Sequence, residues 1–231
     1  MGKRIIVQRR GRGTSTYKAR KKAFKYKLKY PKNLEGEGKV VKLINSPGHS
    51  APLAKISWNK KTFYIPAFKG MVEKQVIKFG KEIKEGNILK LEDIPIKTKI
   101  YNIESRPNDG GKFIKSAGSY ATIYKKTEKY ISILLPSKKE KKLNKKCRAI
   151  IGTIAGAGRL EKPIIKAGKQ YYIKKAKGKL WPKTSAVKMN AIDHPFGSGR
   201  AKNPKSKIAK RNAPPGKKVG LIRPKRTGKR K

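Results

Sequence analysis

Short apolar runs rich in β-branched and aromatic residues, separated by Gly, Pro, Asn and Asp, recur through the middle of the chain. Runs of this kind with turn residues between them are typical of β-strands. The pattern therefore predicts a mainly β core. The predicted strands are residues 40–44, 53–58, 62–67, 76–79, 88–91, 100–104, 121–124, 130–135 and 148–154.

The predicted strands fall into two groups, five before Pro95 and four after it. We therefore expect two small β-barrels joined near residue 95, and five short strands are the number found in a Greek-key OB-fold barrel. Barrels of this size bury little apolar surface, so a bound partner would stabilise them. The predicted organisation is a basic N-terminal extension at 1–35, a first barrel at 36–95, a second barrel at 96–166 and a basic C-terminal extension at 167–231.

The two ends of the chain differ from the middle in charge. The full chain has 63 Lys and Arg against 13 Asp and Glu. Residues 1–32 contain 13 of those basic residues and no acidic one, and residues 166–231 contain 22 basic residues with Asp193 as the only acidic one. This imbalance indicates a polyanionic partner, and basic residues at both ends favour nucleic acid over an anionic membrane. Because each neutralised phosphate releases condensed cations, we expect affinity to fall steeply with salt.

Cysteine, histidine and apolar content exclude several other classes of protein. Cys147 is the only cysteine and is expected to be a small buried apolar residue. With His49 and His194 as the only histidines, we expect no disulfide, no zinc site of the C2H2 type, no metal and no cofactor. The chain has no uncharged apolar run of about 18 residues and no apolar segment near its start, so a cytoplasmic protein without a membrane partner is expected.

No catalytic motif in the chain is complete. The glycine-rich run 152–159 lacks the spacing of a dinucleotide loop or a P-loop. Asp193, His194 and Ser198 are the residue types of a hydrolase triad, but Asp193 and His194 are adjacent, so the acid cannot orient the imidazole from across a folded site. The protein is therefore predicted not to be an enzyme.

The two extensions carry different signals. From residue 167 onward apolar periodicity disappears, and frequent Gly and Pro are expected to break any regular element, so this extension should order on binding. In the first extension Tyr17, Phe24, Tyr26 and Tyr30 alternate with basic residues; these rings either stack on bases or cover the surface of the first barrel. Two further aromatic residues, Trp58 and Phe63, lie in predicted strands and are expected to belong to the core.

A short segment near residue 194 has the composition of a compact loop. Pro195 restricts His194 to extended geometry, while Gly197 and Gly199 permit close backbone approach or a positive φ. The imidazole can donate to a phosphate or stack on a base, and Asp193 can hold nearby backbone N–H groups. The segment therefore predicts a loop that contacts RNA.

The same segment carries a family resemblance. Residues 190–199 resemble the loop Met-Asn-x-x-Asp-His-Pro-[His/Phe]-Gly-Gly-Gly, which marks the universal L-two family of large-subunit ribosomal proteins. The opening residues 2–6 and the Ala-Pro-Pro-Gly motif resemble the archaeal and eukaryotic cytosolic branch. Further segments similar to the family, in family order, are 11–14, 50–52, 109–113, 116–118, 147–152, 166–168 and 211–220.

The resemblance implies a fold and a function. It implies an RNA-binding OB-fold barrel followed by an SH3-like barrel, with long basic irregular extensions threaded into large-subunit rRNA. Other large-subunit proteins are then expected neighbours, the small subunit and tRNA are indirect partners, and the expected roles are subunit association, tRNA placement and support of the peptidyl transferase region. An architectural protein that binds duplex DNA is the main alternative, because backbone charge does not distinguish DNA from RNA. An rRNA-processing enzyme with basic extensions is a third class, disfavoured by the incomplete catalytic motifs.

The side chains expected to contact rRNA are the basic residues of both extensions, the loop residues around His194, and several barrel residues. They are Arg9, Arg10, Arg12, Lys18, Arg20, Lys21, Lys22, His49, Lys115, Arg148, Arg159, Trp181, Lys183, Asn190, Asp193, His194, Pro195, Gly197, Gly199, Arg200, Lys202, Lys210, Arg211, Arg223, Lys225 and Arg226.

Three positions depart from the family pattern. Ser198 stands where the middle of three glycines is usual, and its Cβ would resist a positive φ. His49 and Lys115 stand where arginine usually precedes Ser-Ala, and both lack the planar guanidinium fork. We therefore expect a slightly altered loop and a weaker RNA contact at His49.

Overall fold

The computed structural model describes residues 2–80, 82–199 and 208–223. The chain forms two compact units. We call Arg20–Lys169 the barrel unit, and we call Met1–Ala19 together with Gln170–Lys231 the terminal unit.

The barrel unit is built on one ten-stranded sheet with the order β3-β2-β1-β4-β5-β10-β6-β7-β8-β9. Neighbouring strands are antiparallel, except that β4 and β5 pair in parallel at Phe79 and Ile88. The strands are β1 Gly36–Ile44, β2 Leu53–Trp58, β3 Lys61–Pro66, β4 Val76–Phe79, β5 Ile88–Lys90, β6 Lys99–Tyr101, β7 Ala121–Lys126, β8 Tyr130–Leu134, β9 Glu140–Asn144 and β10 Arg148–Ile151.

Every predicted strand is present, and one further strand, β9, was missed. Its sequence, Glu-Lys-Lys-Leu-Asn, contains a single apolar residue, Leu143, which is buried. Strand β9 lies at the edge of the sheet and, among the described strands, pairs with β8 alone. Lysines on an edge strand discourage pairing with other chains. The polar composition, which kept this strand from being predicted, therefore suits its position at the edge.

Two separate apolar clusters form the core of the barrel unit, and the three central strands β5, β10 and β6 contribute to both. Ile88, Tyr101 and Ile150 belong to the first cluster, while Leu89 and Ile100 belong to the second. Successive side chains of a strand point to opposite faces, so these strands separate the two cores. The mainly β prediction is confirmed, and two cores are consistent with an OB-fold barrel followed by an SH3-like barrel. The domain limits at residues 35, 95 and 166 remain predictions.

The aromatic residues predicted to be in the core lie there. Phe63 is buried, and Trp58 packs against the same cluster while its indole N–H donates to the Glu35 carbonyl at 2.7 Å.

Residues 26–32 form a strap that is part of the barrel unit. Tyr30 has 1 % of its surface exposed and belongs to the first cluster. Its N–H donates to the Gly110 carbonyl at 3.1 Å, and its hydroxyl donates to the Asn102 carbonyl. The Tyr26 ring lies 4.8 Å from the Tyr64 ring, between centroids. The sequence left two alternatives for these rings, stacking on bases or covering the barrel surface. Tyr30 is buried in the core, so it is not available to stack on bases.

The helices are short. The α-helices are α1 Ile6–Gly11 and α2 Ala167–Ala176, and the 3-10 turns are Lys21–Phe24, Leu91–Asp93, Ala157–Leu160 and Ala186–Lys188.

Helix α2 contradicts the expectation that Gly and Pro exclude regular structure from residue 167 onward. Gly168 falls in its first turn, and the next glycine, Gly178, follows its end with a φ of +61°. The N–H of Gly178 donates to Lys175 and the N–H of Lys179 donates to Lys174, which is the Schellman arrangement. The glycines therefore border the helix and do not interrupt it.

We expect Tyr30→Ala to lower the free energy of unfolding by about 3 kcal/mol, because it removes a fully buried aromatic side chain. The matched control is Tyr124→Ala, since Tyr124 is 62 % exposed on strand β7 and should cost less than about 1 kcal/mol. Urea unfolding of the full chain followed by circular dichroism measures both. Equal losses would mean that the strap does not anchor the barrel unit.

We expect the Cys147 thiol to be unreactive in the folded protein. The side chain is buried, as predicted, and burial together with the Glu104 and Asp109 carboxylates raises its pKa to about 11. About one thiol in a thousand is then ionised at pH 8, against roughly a quarter for a free cysteine. Iodoacetamide at pH 8 should label the protein quickly only in denaturant. Equal labelling rates with and without denaturant would contradict this burial.

Candidate nucleic-acid interface

A buried ion pair, between Glu104 and Arg148, lies in the barrel unit. The Glu104 side chain is fully buried, and its Oε1 lies 2.8 Å from Nη2 of Arg148. The carboxylate also accepts the backbone N–H groups of Asn108, Gly110 and Arg148, at 3.3, 3.0 and 2.9 Å. One carboxylate therefore holds a loop and strand β10 together.

The other half of this pair is Arg148, one of the predicted RNA contacts. Its side chain is 11 % exposed, and its Nη1 donates to the Lys32 carbonyl at 2.9 Å. The guanidinium also lies 5.5 Å from the centre of the Tyr30 ring. Since these contacts occupy the guanidinium within the chain, an rRNA contact at Arg148 remains a prediction, while its structural role is plain.

The loop that follows Glu104 is closed by a second carboxylate. Asp109 accepts hydrogen bonds from the N–H and hydroxyl of Ser105 at 2.9 and 2.7 Å, and from the N–H groups of Arg106 and Gly111 at 3.2 and 3.0 Å. Partial burial raises the pKa of Asp109, but these hydrogen bonds outweigh it and leave the pKa below its ordinary value. The carboxylate is thus ionised and rigidifies this turn.

Lys115 and His49, the two barrel residues that depart from the family pattern, both contact other residues of the protein. The Lys115 ammonium donates to the Leu28 carbonyl at 3.2 Å, and burial lowers its pKa. The Nδ1 of His49 lies 2.9 Å from the Ser46 hydroxyl oxygen, and its ring meets Phe24 edge-on at 5.3 Å. Lys115 therefore fastens the strap to the barrel, and the His49 ring packs against Phe24.

The loop around His194 lies in the terminal unit and is held by its own backbone. The Asn190 carbonyl accepts the N–H groups of Asp193 and His194, at 3.0 and 3.3 Å, and the His194 carbonyl accepts that of Gly197 at 2.8 Å. The Met189 carbonyl accepts the N–H of Ser198 at 3.1 Å. These acceptors are carbonyl oxygens and not the Asp193 carboxylate, which was the acceptor expected from the sequence.

The geometry of the loop fixes the chemistry of His194. Its Nδ1 accepts the N–H of Phe196 at 3.0 Å, so in the neutral ring the proton is on Nε2. Partial burial lowers the pKa of His194, which keeps the ring neutral at pH 7. The imidazole therefore offers one N–H donor, at Nε2, and its ring packs 5.1 Å from that of Phe196.

The glycines of this loop have the roles predicted for them. A Cβ on Gly197 would lie 2.2 Å from the Asn190 carbonyl oxygen, so no side chain fits there. Gly199 has a φ of +114°, and Ser198 has a φ of +69°. A left-handed conformation costs a residue with a Cβ about 1–2 kcal/mol, so serine at this position strains the loop, as expected.

Two segments distant in sequence from the loop line a groove beside it. The N–H of Lys3 donates to the Ile192 carbonyl at 2.8 Å, which brings the first residues of the chain to the loop. The groove has a volume of about 1050 Å³ and is lined by residues 2–5, Gln8, the loop and residues 214–217 and 219, with Ile208. Sequence reasoning missed Lys3, Arg4 and Lys217, since their basic character alone did not separate them from the other cations of the extensions.

The remaining predicted contacts lie in both units. Exposed in the terminal unit are Arg9, Arg10, Arg12, Lys18, Lys183, Asn190, Lys210, Arg211 and Arg223, with Trp181 and Pro195 partly buried. Exposed in the barrel unit are Arg20, Lys21, Lys22 and Arg159. Arg200, Lys202, Lys225 and Arg226 lie outside the described residues.

Across residues 2–80, 82–199 and 208–223, no three His, Cys, Asp or Glu side chains converge as a metal site requires. In the same ranges, no helix has the length and apolar character needed to cross a bilayer.

A mainly β body with exposed cations along both terminal segments defines a basic protein of the kind that binds polyanions. The family model described as Ribosomal Proteins L2, C-terminal domain, matches residues 84–217. The chain therefore belongs to the L2 family of ribosomal proteins, and the resemblance found in the sequence is confirmed.

Archaeal relatives match over their whole length. The chain is 45 % identical to the large ribosomal subunit protein uL2 of Methanothermobacter thermautotrophicus, 46 % to that of Hyperthermus butylicus and 44 % to that of Methanococcoides burtonii. Each alignment covers all of this chain and all of the relative. The family is structural and non-enzymatic.

We expect Glu104→Gln to lower the free energy of unfolding by about 3 kcal/mol, because it leaves the Arg148 guanidinium buried beside a neutral amide. The control is Glu37→Gln, since Glu37 is exposed and lies 3.9 Å from an exposed Lys78, and it should cost less than about 1 kcal/mol. Urea unfolding distinguishes them. A Glu104→Gln variant as stable as the control would show that the pair is dispensable.

Proposed function

We propose that this protein is a structural constituent of the large ribosomal subunit that binds large-subunit rRNA in the cytoplasm. The observation that carries the proposal is 44–46 % identity, over the whole chain, to three proteins named large ribosomal subunit protein uL2. The charge agrees with it, since 63 basic residues face only 13 acidic ones and a phosphate backbone would neutralise the excess.

The two units suit different parts of this task. In the barrel unit, Glu104, Asp109 and Lys115 form hydrogen bonds with other groups of the same unit. These bonds hold its loops in place. In the terminal unit, exposed cations such as Arg9 and Arg211 are available to phosphates. Phosphate contacts position a protein on nucleic acid without reading its sequence, so these cations would set where the protein lies on the rRNA.

Finer roles follow from the loop of the terminal unit. We place the His194 loop against rRNA, because its ring offers a neutral N–H donor and its glycines allow close backbone approach. Support of the peptidyl transferase region, tRNA placement and association with the small subunit would then act through the RNA that the loop positions, with other large-subunit proteins as neighbours. The RNA performs the chemistry, and the protein supplies contacts.

Sedimentation tests the proposal directly. At low salt, endogenous protein should sediment with the large subunit, and high salt should release it or weaken its retention. A competition between large-subunit rRNA fragments and duplex DNA of equal length addresses the alternative of a DNA-binding protein. Absence from the large-subunit peak, or preference for duplex DNA, would contradict the proposal.

We expect removal of three exposed cations, Arg9, Arg10 and Arg12, by substitution with Gln to flatten the salt dependence of rRNA binding. If each contacts a phosphate, the slope of log K against log salt should fall in magnitude by about 2 to 3. The charge-matched control replaces three exposed lysines at the turns beside β9, namely Lys138, Lys139 and Lys145, with Gln. Filter binding from low to high salt gives both slopes. Identical slopes for the two triple variants would mean that net charge alone governs binding.

A further inference from the structure

The groove beside the His194 loop has walls suited to an aromatic ligand. Phe196, Pro214 and Pro215 line it, together with Ile5 and Val219. An aromatic side chain such as Phe196 can stack on a nucleobase whatever its identity, and the prolines add apolar contact. At about 1050 Å³, the groove is at the upper end of the roughly 300–1,000 Å³ usual for small-molecule pockets, so it has room for a nucleotide.

The same groove is strongly cationic. Lys3, Arg4 and Lys217 line it, and none of its described lining residues is acidic. A ligand that combines an apolar ring with negative charge therefore complements it. A nucleotide has both features, one in the base and one in the phosphate.

His194 adds a direction to this recognition. Because Phe196 occupies Nδ1, Nε2 is the ring nitrogen left to meet a ligand, and it carries a proton. A neutral donor selects a hydrogen-bond acceptor, such as a keto oxygen or a ring nitrogen on the edge of a base. The Phe196 ring, which packs on the imidazole, holds that donor in place.

We propose that this groove takes one unpaired nucleotide of the large-subunit rRNA. The base stacks on Phe196 and the prolines, an acceptor on its edge receives the Nε2–H of His194, and its phosphates lie near Lys3, Arg4 and Lys217. Bases inside a duplex are stacked on both faces, so paired RNA could offer the groove only its backbone. This inference rests on the proposed function, and it names the form of RNA that the groove selects.

Photochemical crosslinking of the wild-type protein within purified large subunits is the first test. Ultraviolet light at 254 nm joins unpaired bases to side chains in direct contact. Trypsin, which cleaves after Lys188 and after Arg200, would release residues 189–200 as one peptide. We expect this peptide to carry a mass increase of one nucleotide after nuclease digestion. Crosslinks found on other peptides of the protein but never on this one would overturn the inference.

Binding of the full-length protein to an eight-nucleotide single-stranded RNA, and to a duplex of the same length, is the second test. Phe196→Ala should weaken single-strand binding at least about fivefold, the lower limit expected for one stacked base, and leave duplex binding unchanged. His194→Leu should weaken it similarly, while His194→Gln, which retains an amide N–H donor, should recover most of the affinity. The control is Tyr124→Ala, which removes an exposed aromatic of strand β7 and should change neither affinity.

The outcomes separate this inference from the function on which it rests. Equal losses of single-strand and duplex affinity in the Phe196 and His194 variants would mean that the groove meets backbone only, and the inference fails. Failure of the wild-type protein to enter large subunits would instead sink the proposed function. Circular dichroism shows whether a variant is folded, and the crosslinking of the wild-type protein decides the question if the variants do not fold.

Discussion

The buried pair of Glu104 and Arg148 is the interaction on which the barrel unit depends. A carboxylate removed from water must be paired and hydrogen-bonded, because an isolated buried charge is costly. Glu104 meets this requirement by collecting the guanidinium and three backbone N–H groups. Arg148 in turn holds the Lys32 carbonyl and lies over the Tyr30 ring. A strap, a loop and strand β10 are thereby joined at one point, in a unit whose two apolar cores share their central strands.

Unlike this buried pair, most of the other charged side chains that the structure describes are exposed and have no acidic partner nearby. Few acidic residues face the remaining cations, and the other ion pairs among the described residues, such as Lys78 with Glu82, are exposed. Exposed pairs contribute little to stability, so the excess of Lys and Arg serves binding more than folding. A polyanion that neutralises this excess would stabilise the protein by mass action, which suits a component of a ribonucleoprotein particle.

Conformation, more than charge, shapes the His194 loop. Gly197 packs its Cα against the carbonyls of residues 189 and 190, and Gly199 has a positive φ. The N–H of Phe196 fixes the tautomer of His194. From the sequence, the His194 ring could either contact a phosphate or stack on a base. In the structure it is a neutral hydrogen-bond donor that lines a cationic groove.

The sequence by itself determined the strands with several apolar residues, the glycine positions of the loop, the excess of positive charge and the family. These follow from local chemistry, since strand propensity, positive φ and charge belong to single residues or short runs. Only the tertiary structure decided that Tyr30 is a core residue and that Arg148 is paired, because their partners Asn102, Lys32 and Glu104 lie 72, 116 and 44 residues away. It likewise decided strand β9, which depends on its pairing with β8, and the meeting of the first residues of the chain with the His194 loop. Burial and pairing are properties of neighbours in space, and a linear pattern does not specify those neighbours.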